Sequence, residues 1–331
     1  MPASSPFLRR VPFRIPPLWI GWLAALCAAL IGSGWQIASR HGVTTTLGPM
    51  ELAVMRYAVP ALLLLPLWWR PGTWPAGLSR RRCALLTVCG GLPFGLVVLA
   101  GAQWAPAAHM GVFVAGSLPI FTALGGWLMS GDRPARSRLV GLAMIAAGMA
   151  VFSAGEWSAA QGAWRGDLLF LLAALMWAAY TLLFRGSGLT PWQGAALVNL
   201  GSTLLLVPLL WVVGAPRLLS APWADVAWQA LGQGVVAGLL GLVVYSVAIA
   251  RLGAARAALS AALVPLLTAV GGAWLLDEPM SGTVLVAVAL VVPGVAAAAG
   301  ALDRSARPRQ TPESAPALPS QIDNDARRDT A

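Results

Sequence analysis

The chain has 331 residues, of which 58% are hydrophobic and only 10% charged. A soluble domain carries roughly a quarter charged residues, so this chain has too few to clothe a water-facing surface. Its formal charge of +10 comes entirely from arginine over acid, there being no lysine. The arginines are spread through short loops without a dense, aromatic-laced patch, which argues against nucleic acid as a partner.

Residues 1–17 form a short N-terminal segment, expected to be cytoplasmic. Arg9 and Arg10 precede an apolar run, as in a secretory signal, but the run exceeds the 7–15 residues of a signal core and is read as a retained first span. Apolar stretches long enough for a bilayer core, about 20 residues each, follow at 18–38, 49–69, 84–103, 107–129, 137–155, 166–184, 191–213, 227–249, 255–276 and 281–301. A spanning segment must satisfy its own backbone hydrogen bonds. The fold class expected is therefore all-α and integral to the membrane, with ten transmembrane helices. After Ala301 the composition turns to Arg, Pro, Asp, Ser and Gln, so 302–331 is expected to be a disordered cytoplasmic tail.

The halves repeat. A shift of 146 residues lays Pro119 on Pro265, Thr122 on Thr268, Gly125-Gly126 on Gly271-Gly272 and Asp132 on Glu278. The same shift lays Gly95–Val98 on Gly241–Val244, and a shift of 145 lays Trp19 on Trp164, Trp35 on Tyr180 and Arg40 on Arg185. The repeats are 18–155 and 164–301, five spans each. An odd number of spans forces the second repeat to insert upside down, a construction found in secondary transporters. With both termini inside, eighteen arginines fall on cytoplasmic segments and three (Arg40, Arg165, Arg217) outside. That asymmetry obeys the positive-inside rule.

Several residues inside or at the ends of spans are candidates for a cavity. Pro119 and Pro265 each remove a backbone donor at membrane depth, and Pro93, between Gly91 and Gly95, is placed to break the third span. The Gly91/Gly95 and Gly234/Gly238 spacings suit close helix packing. Arg56 lies roughly two turns inside the second span, where a charge needs a partner or water. Glu51 is near in sequence but about 140° away around the helix; Asp167, at the start of the sixth span, is an alternative partner. Snorkelling to the surface is the bland account. His109, Asn199, Tyr180, Gln233 and Tyr245 are the other polar groups, a residue of this kind more often making an interhelical hydrogen bond than a ligand contact. Trp35 pairs with Tyr180 through the repeat, as an aromatic couple for a central pocket. Cys27, Cys83 and Cys89 lack metal-type spacing, and neither a metal nor a cofactor is expected. Zinc-protease and nucleophile-elbow motifs are missing, and the two histidines, His41 and His109, offer little to a catalytic dyad.

These stretches resemble the drug/metabolite transporter superfamily, in its EamA-like ten-helix branch. The likeness rests on L-I-G-S-G-W-Q-I-A-S-R at Leu30–Arg40, P-M-E-L-A-V-M-R-Y at Pro49–Tyr57, S-L-P-I-F-T-A-L-G-G-W-L at Ser117–Leu128 and A-L-V-P-L-L-T-A-V-G-G-A-W-L-L-D-E-P at Ala262–Pro279. The resemblance implies transport of small metabolites, often export of amino acids or related compounds, through a cavity between the repeats. It also implies that spans 5 and 10 stand outside that cavity. The family's acidic position ending span 4 is Asp132 here, while Glu278 keeps the usual type after span 9. The function expected is an inner-membrane secondary transporter working by alternating access. An integral-membrane enzyme acting on lipid-linked substrates is the alternative, to be told apart by a catalytic constellation at the membrane surface; a non-transporting scaffold is a third. The expected partners are a small-molecule substrate and the lipid bilayer, with a homodimer left open.

Overall fold

The computed structural model describes residues 18–68, 77–131, 134–156, 162–185, 187–252, 257 and 259–300. The N-terminal segment, the tail and Asp132 lie outside the described residues. Every regular element among those described is helical.

The first helix, α1, is Leu18–Thr44 and the second, α2, is Pro49–Trp68. Proline suits a helix start because its missing N–H would be unpaired there anyway. Glu51 completes the start of α2 by accepting the Gly48 N–H at 3.0 Å. The third span is two helices, α3 (Arg80–Gly90) and α4 (Leu92–Trp104), broken at Gly91 with φ −111° and ψ −139°. Pro93 stands at the start of α4, so the break expected from the sequence is present. The backbone exposed there is met by side chains: Tyr57 donates its hydroxyl to the Gly91 carbonyl at 2.7 Å, and the Leu92 N–H donates to Ser202 Oγ at 2.9 Å.

The fourth span changes winding along its length. A short α5 (Ala107–Met110) runs into a π-helical segment, π1 (Gly111–Gly116), and then α6 (Leu118–Ser130). The fifth is α7 (Arg136–Glu156). In the second half, α8 is Ala163–Arg185 and α9 is Pro191–Val213, the latter opened by a capping box between Thr190 and Gln193. A short α10 (Arg217–Ser220) leads to α11 (Trp223–Gln229), a long π-helical segment π2 (Ala230–Leu240) and α12 (Gly241–Leu252). The chain closes with α13 (Leu259–Leu275) and α14 (Gly282–Ala298).

Eight of the resulting rods are long and apolar enough to cross a membrane, and α13 and α14 are apolar but shorter. At 17 residues each they reach about 26 Å, at the lower edge of what a hydrocarbon core requires. Helix α14 is shorter than the 281–301 expected from hydropathy; of the expected 255–276, residues 255, 256 and 258 lie outside the described residues. Helix α14 is cut to length by its cap, with Ser281 Oγ accepting the Val284 N–H at 3.3 Å and a left-handed Gly300 (φ 84°) beyond its end.

Helix packing follows the repeat. The main partners of α1 are α12 and α13, in the other half, and those of α8 are α4 and α6. Exchanging the halves carries α1–α12 onto α8–α4, α1–α13 onto α8–α6, and α2–π2 onto α9–α3. The pairs α2–α9 and α7–α14 map onto themselves. Small residues allow the closest of these contacts. A Cβ on Gly141 would lie 2.5 Å from the Ala298 N, and one on Gly148 would lie 2.8 Å from Val291 Cγ2, so α7 and α14 meet backbone to backbone. Gly234 packs against the Met55 carbonyl and Val59 in the same way. The outer surface of the bundle is apolar, with Leu62, Leu128, Leu204 and Trp211 among its exposed side chains. A water-soluble protein would not leave so much apolar surface uncovered.

Candidate functional site

At the centre of the bundle lies a cavity of about 370 Å³, near the small end of the range for small-molecule sites, about 300–1,000 Å³. Both repeats wall it: α1, α2, α3, α4, π1 and α6 from the first, and α8, α9, π2, α12 and α13 from the second. Neither α7 nor α14 contributes a lining residue, in keeping with the place the resemblance gave to spans 5 and 10.

Of the residues singled out from the sequence, Trp35, Arg56, Tyr180, Asn199 and Tyr245 line this cavity. His109, Pro119, Pro265 and Gln233 do not. His109 is buried outside the wall, its Nδ1 2.7 Å from Asp167 Oδ1 and its ring edge-on to Phe152 at 4.4 Å. Pro119 falls in the first turn of α6, where proline is tolerated, and the Ser117 hydroxyl bonds the Phe113 carbonyl. Pro265 is inside α13 and packs against Gly111. Its missing N–H leaves the Ala261 carbonyl without a helical donor, and Ala261 does line the cavity.

The expected partners of Arg56 are engaged elsewhere. Glu51 accepts backbone N–H groups of Gly48 and Arg217, at 3.0 and 3.1 Å, and does not line the cavity. Asp167 is taken by His109. The guanidinium is instead held by the Gln233 carbonyl, 3.2 Å from Nη1, and by the ring of Trp35, 5.5 Å from Cζ, with Tyr57 at 6.0 Å. These distances are within the reach of cation–π attraction. A carbonyl made available by π2 and the π-faces of two rings thus hold a cation that no carboxylate among the described residues neutralises.

An aromatic wall runs on from that point. Trp35 stacks on Phe94 with centroids 6.4 Å apart, Phe94 meets Trp177 at 5.0 Å, and Trp177 meets Tyr180 at 4.9 Å. Gly90 makes room for the last of these, since a Cβ there would lie 2.5 Å from Tyr180 Cδ2. Phe94 and Trp177 gave no sequence signal beyond an apolar span; only their proximity to the Trp35 and Tyr180 pair distinguishes them.

One end of the cavity is tied by polar contacts. Arg40 Nε is 3.0 Å from Glu278 Oε1, and Arg40 also donates to the Ala102 carbonyl. Glu278 Oε2 accepts the Ala107 N–H at 2.8 Å, so one carboxylate joins α1, the α4–α5 corner and the end of α13. Asp277 aims it there: with φ 52° it is a left-handed residue after the helix, a conformation Asp tolerates better than most. Deeper along the same end, Thr268 donates to Gln36 Oε1 at 2.8 Å and Gln233 Nε2 to Ser39 Oγ at 3.1 Å. Arg40 looks like a mere topology arginine in the sequence; its repeat position and Glu278 were the available hints.

The pattern of the EamA-like transporter family matches residues 19–154 and again 164–299. The chain belongs to the EamA-like transporter family. It is thus a multi-pass membrane protein of the drug/metabolite transporter superfamily, carrying two EamA domains. An uncharacterized protein of Pseudomonas aeruginosa is 32% identical over 280 residues, spanning 83% of this chain and 92% of its own length. An uncharacterized transporter of Bacillus subtilis is 26% identical, spanning 85% and 92%. A solved crystal structure, 21% identical, superposes with a TM-score of 0.57 over 87% of this EamA chain and 99% of its own, which shows a shared fold.

Proposed function

We propose that this EamA-family chain is an inner-membrane secondary transporter that exports small metabolites, amino acids or related compounds, by alternating access through the central cavity. The observation that carries the reading is a mid-bundle cavity walled by both repeats, with the Arg40–Glu278 contacts tying one end. Trp35, Arg56, Tyr180, Asn199 and Tyr245 are the substrate-facing residues in this reading. Broken and π-helical backbone beside the cavity fits it too, because irregular backbone is tolerated at membrane depth where it is buried in protein or lines a cavity. Export follows from the family resemblance.

All ten apolar rods cross the bilayer in this reading, with both termini cytoplasmic and the repeats oppositely inserted. Support comes from the eighteen-to-three arginine asymmetry. A reporter active only outside the cytoplasm is expected to be active when fused after residue 158 and silent after Ala331; the reverse pattern overturns the topology. Transport itself is tested by uptake and release of a labelled metabolite panel in proteoliposomes, with and without a proton gradient. No protein-dependent flux of any panel member would leave the transporter reading without support.

A further inference from the structure

Arg56 is the one ionised side chain lining the central cavity among the described residues, and no Asp or Glu shares the wall. A guanidinium carries five N–H donors in a planar fork. A single one of them has a hydrogen-bond acceptor among the described residues, the Gln233 carbonyl. The rings of Trp35 and Tyr57 ease the charge through their faces but accept no in-plane hydrogen bond. An uncompensated cation at membrane depth is unfavourable, and a ligand that supplies the missing anion relieves it.

From the Trp35 ring over which Arg56 lies, the wall is aromatic, from Phe94 through Trp177 to Tyr180. We infer that the central cavity binds a monovalent organic anion, its carboxylate on Arg56 and its flat apolar body along Phe94, Trp177 and Tyr180. The inference rests on the reading of this cavity as the substrate site. It narrows the amino acids or related compounds of that reading to carboxylates without a charged amine, because an ammonium group would enter a wall that, among the described residues, holds a cation and no acid.

The test is binding of labelled phenylacetate to the purified full chain in detergent at neutral pH, with matched competitors. These are phenylacetamide (neutral), phenethylamine (cationic) and phenylalanine (zwitterionic), which keep the ring and change the charge. Saturable binding is expected, displaced by unlabelled phenylacetate and by none of the other three at equal concentration. Arg56→Gln is expected to weaken it about tenfold or more, as loss of a charged hydrogen-bond partner does, and Arg56→Lys to keep part of it. Absence of saturable binding, displacement by the amine or the amino acid as strong as by the carboxylate, or unchanged affinity in Arg56→Gln each overturns the inference. The competitor series on the unmutated chain decides the matter even where Arg56→Gln does not fold. Proteoliposome flux separates this inference from the one beneath it. Bound but unmoved phenylacetate, with no flux of any metabolite, counts against the transporter reading alone. Flux of a zwitterion or a cation that also displaces phenylacetate counts against the charge selection alone.

Discussion

Arg56 keeps its place through a carbonyl and a ring, and Gly238 is the neighbour that leaves it room. A Cβ on Gly238 would stand 3.2 Å from Arg56 Nη1, 3.2 Å from the Gln233 carbonyl oxygen and 3.3 Å from Pro60 Cγ. Those contacts are tight, and the guanidinium, at the far end of a flexible chain, is the atom group most able to yield. Gly238→Ala is therefore expected to leave expression and melting temperature near those of the parent. It should weaken phenylacetate binding roughly three- to tenfold, a difference of about 0.7–1.4 kcal/mol. Unchanged affinity would mean that the exact seat of the guanidinium does not matter to the ligand. The sequence made Arg56 conspicuous because a charge at mid-span is rare. Its surroundings were not legible, since carbonyls and ring faces leave no residue-type signature. Glu51 and Asp167 were drawn in by proximity along the chain or bundle, yet each carboxylate already bonds near the start of its own helix, to backbone N–H groups or to His109.

Among the elements, the breaks were legible and their form was not. Pro93 marks the division of α3 from α4, and Pro119 and Pro265 occupy equivalent places in the repeat. The structure treats that last pair differently, one at the start of α6 behind a π-helical segment and the other inside α13. A one-residue change of winding leaves the hydropathy pattern of a span unaltered, so π1 and π2 have no trace in composition. The tie at the end of α1 and α13 has testable energetics. The side chains of Arg40 and Glu278 are 19% and 11% exposed, buried enough that leaving one without the other is expected to cost a few kcal/mol. Arg40→Ala and Glu278→Ala should each lower stability in detergent. The double variant should fall short of their sum by about 0.5–3 kcal/mol, the usual range for residues in direct contact. Strict additivity in thermal or denaturant unfolding would show that the two side chains act independently.

For the molecule as a whole, the ten apolar stretches and the repeat were plain in the sequence because both are patterns of residue type over long distances. The cross-over of the halves, with α1 among the second-half helices and α8 among the first, was not, since no local pattern records which repeat a helix packs against. That exchange gives the two ends of the bundle their meaning. In the proposed orientation α1 runs outward, so the Arg40–Glu278 tie lies at the external end. The cavity wall reaches the other way, to Ala195 near the start of α9 and Ser260 near the start of α13. In that orientation this is the cytoplasmic end. Ala195 is half-buried and lines the cavity, which makes it a reporter of access. In a chain whose Cys27, Cys83 and Cys89 are replaced by alanine, Ala195→Cys is expected to react with a membrane-impermeant maleimide in inside-out vesicles and to resist it in right-side-out ones. Adding Glu278→Ala should loosen the external tie and shift the population, so that labelling from the outer side rises while labelling from the inner side falls. Labelling from the outer side alone in the parent would reverse the orientation. Equal labelling from both sides would remove the tie as a barrier, leaving Arg40 and Glu278 with a structural role only.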